Sequence, residues 1–171
     1  KYYKENKNHS EILNSLGNIY LKKRDFIKSE EFYLKSIEQD ENNQTALSNL
    51  AILYNNLGKK DKAKKFYNKV LIRNPNNIGV LYNLSNIDET LINEKKIIYL
   101  KNLIKDKKIK NFDMASCYFI IAKNEKKKNN FDKEINLLMH ANKFSYLEKE
   151  NLNIQSNNYW LKLLPLKFDK F

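Results

Sequence analysis

The 171-residue sequence has few of the residues that shape turns or carry redox chemistry: one cysteine, three glycines and two prolines. A single cysteine, Cys117, cannot form an intramolecular disulfide, and it excludes a zinc site built from several cysteines. The scarcity of glycine and proline disfavours turn-rich all-β folds and favours long helices joined by short connectors. Because Cys117 lies among apolar residues of a predicted helix, we expect it to be a packed core thiol.

The chain also lacks long apolar runs and has little arginine. No stretch approaches about 18 consecutive apolar residues, so the sequence predicts no membrane-spanning helix. The net charge is +12, but Arg24 and Arg73 are the only arginines among many lysines. Since bidentate contacts to phosphates and bases usually use arginine, we do not expect specific nucleic-acid binding. The abundance of Lys, Asn and Ile indicates an AT-rich genome, and the charge would attract acidic partners weakly.

Residue sets for catalysis are missing as well. His9 and His140 have no serine or cysteine partner at a spacing typical of a nucleophilic site, and no loop has metal-ligand spacing. Gly17, Gly58 and Gly79 stand too far apart to form a glycine-rich phosphate loop. We therefore predict a non-catalytic protein without a cofactor or a metal.

The beginning of the sequence carries no targeting signal. Its first residue is Lys1 rather than methionine, and no secretory signal peptide is visible. Residues 1–9 are polar and are predicted to be the end of a preceding helix or an entry segment. We interpret the chain as a fragment or a processed product, from which targeting signals would be missing, and expect a cytoplasmic location.

Apolar and small residues recur with a period of 34 residues. The recurring residues are Leu13, Leu16, Gly17 and Tyr20, then Leu47, Leu50, Ala51 and Tyr54, and then Leu81, Leu84 and Ser85. A fixed period of this length is typical of stacked helical repeats, in which each repeat is a pair of helices. The small residues let neighbouring helices approach closely, and the larger ones fill the space between them.

Turn residues separate two predicted helices within each period. Ser10 is predicted to cap the start of the first helix. Gly58 can take the left-handed conformation that ends a helix, and Pro75 cannot continue one. The helices of the first two periods are predicted up to Lys23 and over Phe26–Gln39, Thr45–Leu57 and Lys60–Arg73.

Two consecutive segments, "EILNSLGNIYLKKRDFIKSEEFYLKSIEQDENN" and "ALSNLAILYNNLGKKDKAKKFYNKVLIRNPNN", resemble the tetratricopeptide repeat (TPR). The matching residues are Leu13, Leu16, Gly17, Tyr20, Ser29, Tyr33 and Ser36 in the first, and Leu47, Leu50, Ala51, Tyr54, Gly58, Ala63, Tyr67 and Pro75 in the second. Glu41 stands where proline is usual. The resemblance implies an all-α fold, a right-handed superhelical array of antiparallel helix pairs (a TPR-like solenoid). It also implies a scaffold that binds a protein or an extended peptide.

Four TPR-like pairs are predicted over residues 10–146, at about 10–41, 44–77, 78–108 and 112–146. In the third pair, Asp88 replaces the tyrosine and Lys101 replaces an aromatic residue, although helices are still predicted at Ile78–Glu89 and Asn93–Lys105. The fourth pair returns out of phase near Met114. A C-terminal capping or linker helix is predicted over residues 147–171, with its apolar face formed by Ile154, Trp160, Leu161 and Leu164.

The first helix of each pair lines the concave surface of TPR arrays, so the resemblance implies a groove on these helices. The predicted groove residues are Asn14, Asn18, Ser48, Asn49, Ile52, Asn55, Tyr82, Asn83, Asn86, Phe119, Lys123 and Lys127. Asn49 and Asn83 are one period apart, and such amides could pair with a peptide backbone because each amide both donates and accepts. Since asparagine is abundant throughout, chance placement explains this row equally well.

Two other functions stay open as alternatives. The segment "AKNEKKKNNFDKEINLLMHANKF" is similar to the last repeat and linker of bacterial TPR-sulfotransferase proteins. Rows of asparagines also resemble those in repeat arrays attached to glycosyltransferases, so the chain could be the non-catalytic arm of a transferase. The second alternative is homotypic assembly, in which the helix carrying Trp160 packs on another copy of the chain.

Overall fold

The computed structural model describes residues 2–106 and 108–149, and the side chains of residues 9–106 and 108–149. All regular elements in these ranges are helices. They are α1 (Tyr2–Lys22), α2 (Phe26–Gln39), α3 (Gln44–Asn56), α4 (Lys60–Arg73), α5 (Ile78–Ile87), a short 3₁₀ helix (Glu89–Leu91), α6 (Glu94–Leu103), α7 (Asn111–Lys127) and α8 (Phe131–Glu148). The predicted all-α class, with TPR-like helix pairs, is confirmed.

Local capping signals set the starts of several helices. The side-chain oxygens of Asp25, Asn43, Asn77 and Asn93 each accept a hydrogen bond from the backbone N–H three residues later. Asn43 and Asn77 are one period apart, so capping follows the repeat. The helices α2 and α4 span the predicted residues, while α5 ends at Ile87 and the 3₁₀ helix follows it.

The chain divides into two compact units, residues 1–91 and residues 92–171. The boundary falls inside the predicted third pair, so that α5 belongs to the first unit and α6 to the second. The largest fully buried side chains of the first unit include Tyr33, Tyr67, Leu47, Leu50, Leu53 and Leu81. Those of the second unit include Ile97, Leu100, Ile120 and Ile121.

Small residues allow close helix packing at the places that the period predicts. A Cβ atom added to Gly17 would lie 2.5 Å from the ring of Tyr33, so the contact between α1 and α2 requires glycine. One period later, Ala51 and Tyr67 are both fully buried. At this position alanine, rather than glycine, stands opposite the equivalent buried tyrosine.

Three helix pairs turn in the same way. Arg24, Gly58 and Asn129 have φ angles of 60°, 73° and 57°, which is the left-handed region. In each case the following residue donates its backbone N–H to a carbonyl five residues back, on Tyr20, Tyr54 and Glu125. This turn ends the first helix of a pair just before the second helix begins. Because the same turn occurs in three pairs, it identifies equivalent residues in them. The predicted helix-ending role of Gly58 is confirmed.

Ser10 is not the cap of the first helix, and that prediction is wrong. The helix α1 begins at Tyr2, and Ser10 is fully buried in its interior. The Ser10 hydroxyl donates to the carbonyl of Ser36 at 2.9 Å and accepts from Nδ2 of Asn43 at 2.8 Å. Ser36 in turn donates to the carbonyl of Ser10 at 2.8 Å. These bonds join α1, α2 and the start of α3, and they satisfy a polar residue that local preference would place at a helix end.

The predicted C-terminal helix over residues 147–171 lies outside the described residues from residue 150 onward, and this part includes Trp160. Its first two residues belong to α8, which ends at Glu148. The segment predicted as an entry, residues 1–9, is part of α1 from Tyr2 onward. Within the described ranges, every helix is too short or too polar to cross a lipid bilayer.

Candidate functional site

The predicted groove residues lie on the first helices of the pairs, and most of their side chains are buried or half-buried. In the first unit they lie on α1, α3 and α5, where Asn14 is buried, Asn86 is exposed and the others are half-buried. Phe119, Lys123 and Lys127 lie on α7 in the second unit, and only Lys127 among them is exposed.

Asn14, Asn18 and Asn49 form one hydrogen-bonded cluster between α1 and α3. The Nδ2 atom of Asn49 donates to Oδ1 of Asn14 at 3.0 Å and to Oδ1 of Asn18 at 3.2 Å. The hydroxyl of Tyr33, which comes from α2, also donates to Oδ1 of Asn18, at 2.6 Å. The cluster thus connects three helices, and the Oδ1 atoms of Asn14 and Asn18 already accept hydrogen bonds within the protein.

Each of the three amides keeps one group without a hydrogen bond to the described residues. Within the described residues, Nδ2 of Asn14, Nδ2 of Asn18 and Oδ1 of Asn49 form no hydrogen bond, and none is buried without a partner. A concavity of about 530 Å³ adjoins this cluster and is lined by polar residues, among them Glu11, Asn14, Asp40, Asn43 and Gln44. The cluster therefore has two unused donors and one unused acceptor, and its Asn14 lines this polar concavity.

The same positions one period later are arranged differently. Ile52 stands one period after Asn18, and it packs against the apolar core. Tyr67 stands one period after Tyr33, and its buried hydroxyl has no hydrogen-bond partner among the described residues. The half-buried Asn83, one period after Asn49, forms no side-chain hydrogen bond within the described part of the chain. Asn49 and Asn83 share a repeat position but not an environment.

The residues that interrupt the repeat pattern take part in ion pairs. Lys64 lies 3.3 Å from Asp88, and Lys101 lies 2.8 Å from the buried carboxylate of Glu125. In the regular second repeat, Tyr54 occupies the place of Asp88, and its hydroxyl donates to Glu30 at 2.7 Å. All three contacts join residues 24 positions apart. These pairs were not predicted from the sequence, although a charged or hydrogen-bonding partner stands 24 positions before each tyrosine site.

The two acidic residues of these pairs are held ionised. Hydrogen bonds from Thr90, with a smaller effect of Lys64, lower the pKa of Asp88. The Lys101 ammonium and the Asn130 amide, which donate to the two oxygens of Glu125, lower the pKa of that carboxyl although burial opposes them. Carboxylates kept charged in this way stabilise the fold and are poor proton donors near neutral pH.

Cys117 is a packed core thiol, as predicted. It is fully buried in α7, and burial, with a smaller effect of Asp113, raises the pKa of its thiol to about 12. The thiolate, which is the reactive form, is therefore scarce at neutral pH. His140 stacks on Tyr118 with ring centroids 5.2 Å apart. Within the described residues, no three His, Cys, Asp or Glu side chains converge to hold a metal.

Comparison with known protein families gives two matches. Residues 10–43 and residues 45–77 each match a family model described as the tetratricopeptide repeat. The resemblance drawn from the sequence is confirmed for these two segments, which together cover less than half of the chain. The search of curated proteins finds no match to this chain. Repeats of this kind are typical of protein-interaction scaffolds, and both matched segments lie in the first unit.

Proposed function

We propose that this chain is a non-catalytic scaffold that binds an extended protein or peptide segment on the face formed by α1, α3 and α5. The observation that carries the proposal is the cluster of Asn14, Asn18 and Asn49. Its internal bonds fix the amides in place, and its remaining donors and acceptor match the C=O and N–H groups of an extended backbone. Such preorganisation lowers the entropic cost of binding.

The ligand segment at this cluster should be neutral or basic. Glu11 and Asp40 line the adjoining concavity, so an acidic side chain placed there would be repelled. The net charge of +12 would still favour an acidic partner overall, through lysines elsewhere on the surface. We therefore expect a ligand whose backbone, rather than its charge, is recognised at the asparagines.

The test begins with a displayed library of random dodecapeptides panned on the full chain. An enriched peptide, synthesised with blocked ends, is then titrated against variants by fluorescence anisotropy. The change Asn49→Ala removes the unused Oδ1 acceptor and loosens both neighbouring amides, so we expect affinity to fall by about 10-fold, the effect of one or two hydrogen bonds. The change Asn83→Ala, at an amide without an internal bond, should weaken binding with little loss of stability.

Asn68→Ala is the matched control, since Asn68 is exposed on α4, away from this face. Thermal unfolding of each variant separates lost binding from lost folding. If peptides are enriched but bind Asn49→Ala and Asn83→Ala as tightly as the unchanged chain, the groove proposal fails. The transferase arm and homotypic assembly are not tested by this experiment and stay predictions.

A further inference from the structure

A second concavity lies in the second unit, and it shares no residue with the predicted groove. It has a volume of about 400 Å³, which is within the range of small-ligand pockets. Apolar Ile104, Ile121 and Leu137 form much of its wall, and Lys101, Glu125, Lys133 and Asn136 complete it. Its contacts come from α6, α7 and α8.

The left-handed turns at Arg24, Gly58 and Asn129 show which residues of the first two helix pairs are equivalent to those of the pocket. Tyr20, Tyr54 and Glu125 are equivalent, because the carbonyl of each accepts the same turn hydrogen bond. Twelve residues later stand Phe32, Phe66 and Leu137. Tyr20 stacks on Phe32 with ring centroids 5.2 Å apart, and Tyr54 packs on Phe66 at 5.6 Å. In the fourth pair, Glu125 and Leu137 replace both rings, and both residues line the concavity.

The lysine that accompanies these rings is retained. Lys28 and Lys62, eight residues after the two tyrosines, each hold their Nζ atom 5.2 Å from the centre of the tyrosine ring. Lys133 is the equivalent residue after Glu125, and it lines the concavity. A lysine over an aromatic face is attracted by the ring's π electrons. The fourth pair thus keeps the cation, without a ring of its own at the tyrosine position.

We propose that this pocket, between α6, α7 and α8, binds a phenylalanine or tyrosine side chain of a protein partner, next to an acidic residue of that partner. The ring would occupy the place of the tyrosine–phenylalanine pair, against Leu137 and beneath Lys133. The acidic neighbour is favoured because two lysines line the pocket and, among the described residues, only Lys101 of the two forms an ion pair, with Glu125. The chain's own residues 150–171 contain three lysines and two acidic residues, so charge favours an acidic partner over this segment.

The test uses the δ1 methyl groups of Ile104 and Ile121 as reporters in ¹H–¹³C spectra of the full chain. The probe is N-acetyl-Asp-Phe-amide, and N-acetyl-Asp-Leu-amide is its matched control. We expect the aromatic probe to shift both methyl resonances through its ring current, and the leucine probe to leave them nearly unchanged. If the two probes shift them alike, or neither does up to the solubility limit, the proposal is overturned.

Variants of the chain test the geometry. Leu137→Phe should fill the pocket and abolish the shifts, while Leu34→Phe, the same change on α2 in the first unit, should leave them intact. Lys133→Gln should weaken binding about two- to fivefold, the loss of one cation–π contact, whereas Lys143→Gln, at an exposed lysine of the same helix, should have no effect. Persistence of the shifts in folded Leu137→Phe would contradict the proposal. So would a change of the same methyl resonances in Trp160→Leu without probe, because the chain's own ring would then occupy the pocket.

This inference is independent of the groove proposal. The pocket, its methyl reporters and the variants expected to change their signals belong to the second unit, while the library peptide is tested with Asn49 and Asn83 of the first. A negative result in either experiment leaves the other proposal standing.

Discussion

At the scale of single residues, Tyr33 and Tyr67 show how equivalent side chains can differ in energy. Both are fully buried at the same place in successive repeats. The Tyr33 hydroxyl donates to Asn18, whereas the Tyr67 hydroxyl has no partner among the described residues, and burial raises the pKa of both phenols. A satisfied buried hydroxyl stabilises a fold, and an unsatisfied one costs free energy.

We therefore predict opposite effects of the same change. Tyr33→Phe should lower the free energy of unfolding by about 0.5–1.5 kcal/mol, because the hydrogen bond to Asn18 is lost. Tyr67→Phe should be neutral or stabilising, because it removes an unpaired polar group. Urea unfolding of the two variants provides the comparison. A larger loss for Tyr67→Phe than for Tyr33→Phe would mean that the Tyr67 hydroxyl is satisfied in solution.

The sequence alone predicts these residues only in part. The period identifies Tyr33 and Tyr67 as packed residues because large apolar side chains recur there. It does not predict that the Ser10 hydroxyl is satisfied by Ser36 and Asn43, since those contacts join three helices. For the same reason the amides of Asn14, Asn18 and Asn49 could be assigned to one face, but not to one hydrogen-bonded cluster.

At the scale of elements, the left-handed turns differ in the cost of their central residue. Arg24 and Asn129 hold positive φ angles with a side chain present, whereas Gly58 holds the same angle without one. A side chain in this region costs roughly 1–2 kcal/mol, and less for asparagine than for other residues. The repeated turn is thus optimal only in the second pair.

Substitutions at Arg24 and Gly58 should therefore change the free energy of unfolding in opposite directions. We expect Arg24→Gly to raise the free energy of unfolding by up to about 1 kcal/mol, and Gly58→Ala to lower it by a similar amount. Thermal unfolding followed by circular dichroism measures both. Stabilisation by Gly58→Ala would show that the turn does not keep its left-handed conformation in solution.

The ion pair between α6 and α7 predicts a dependence on pH. The pKa of Glu125 is lowered in the folded chain, so its contribution to stability is present above the ordinary value of 4.5 and is lost as the pH falls through the folded pKa. We expect Glu125→Gln to be less stable than the unchanged chain at pH 7, because Lys101 loses its partner. The difference should shrink as the pH falls below about 4.5.

Urea unfolding at several pH values tests this behaviour. Glu94→Gln is a suitable control, since Glu94 pairs with Lys128 at 3.1 Å but is mostly exposed, and surface pairs contribute little. A constant difference between Glu125→Gln and the unchanged chain across the acidic range would argue against the linkage.

At the scale of the whole molecule, the two units have their own buried residues, and their repeats differ in regularity. Helix pairs could be assigned from the sequence where the period is intact, as for α2 and α4. The equivalence of Glu125 with Tyr20 and Tyr54 was obscured, because α7 has 17 residues where α3 has 13, so the sequence slips out of phase. Only the turn geometry restores that alignment.

Repeat proteins distribute stability locally, so a core change should act mainly within its own unit. Leu50 is fully buried in α3, and we expect Leu50→Ala to cost about 2–5 kcal/mol in the first unit. Compared with the unchanged chain, this variant should show a larger increase in the rate of amide hydrogen exchange in α3 and α4 than in α7 and α8. Uniform acceleration in both units would indicate a single cooperative transition instead.

The hydrogen bonds that join one helix pair to its neighbour have a consequence for synthesis on the ribosome. These side-chain contacts, such as Glu30–Tyr54 and Asn14–Asn49, span 24 to 35 positions along the chain. At translation rates of about 5–20 residues per second, the partner of each contact is made within roughly ten seconds. The polar groups of a newly synthesised helix pair can therefore form these hydrogen bonds once about one further period of the chain has been made.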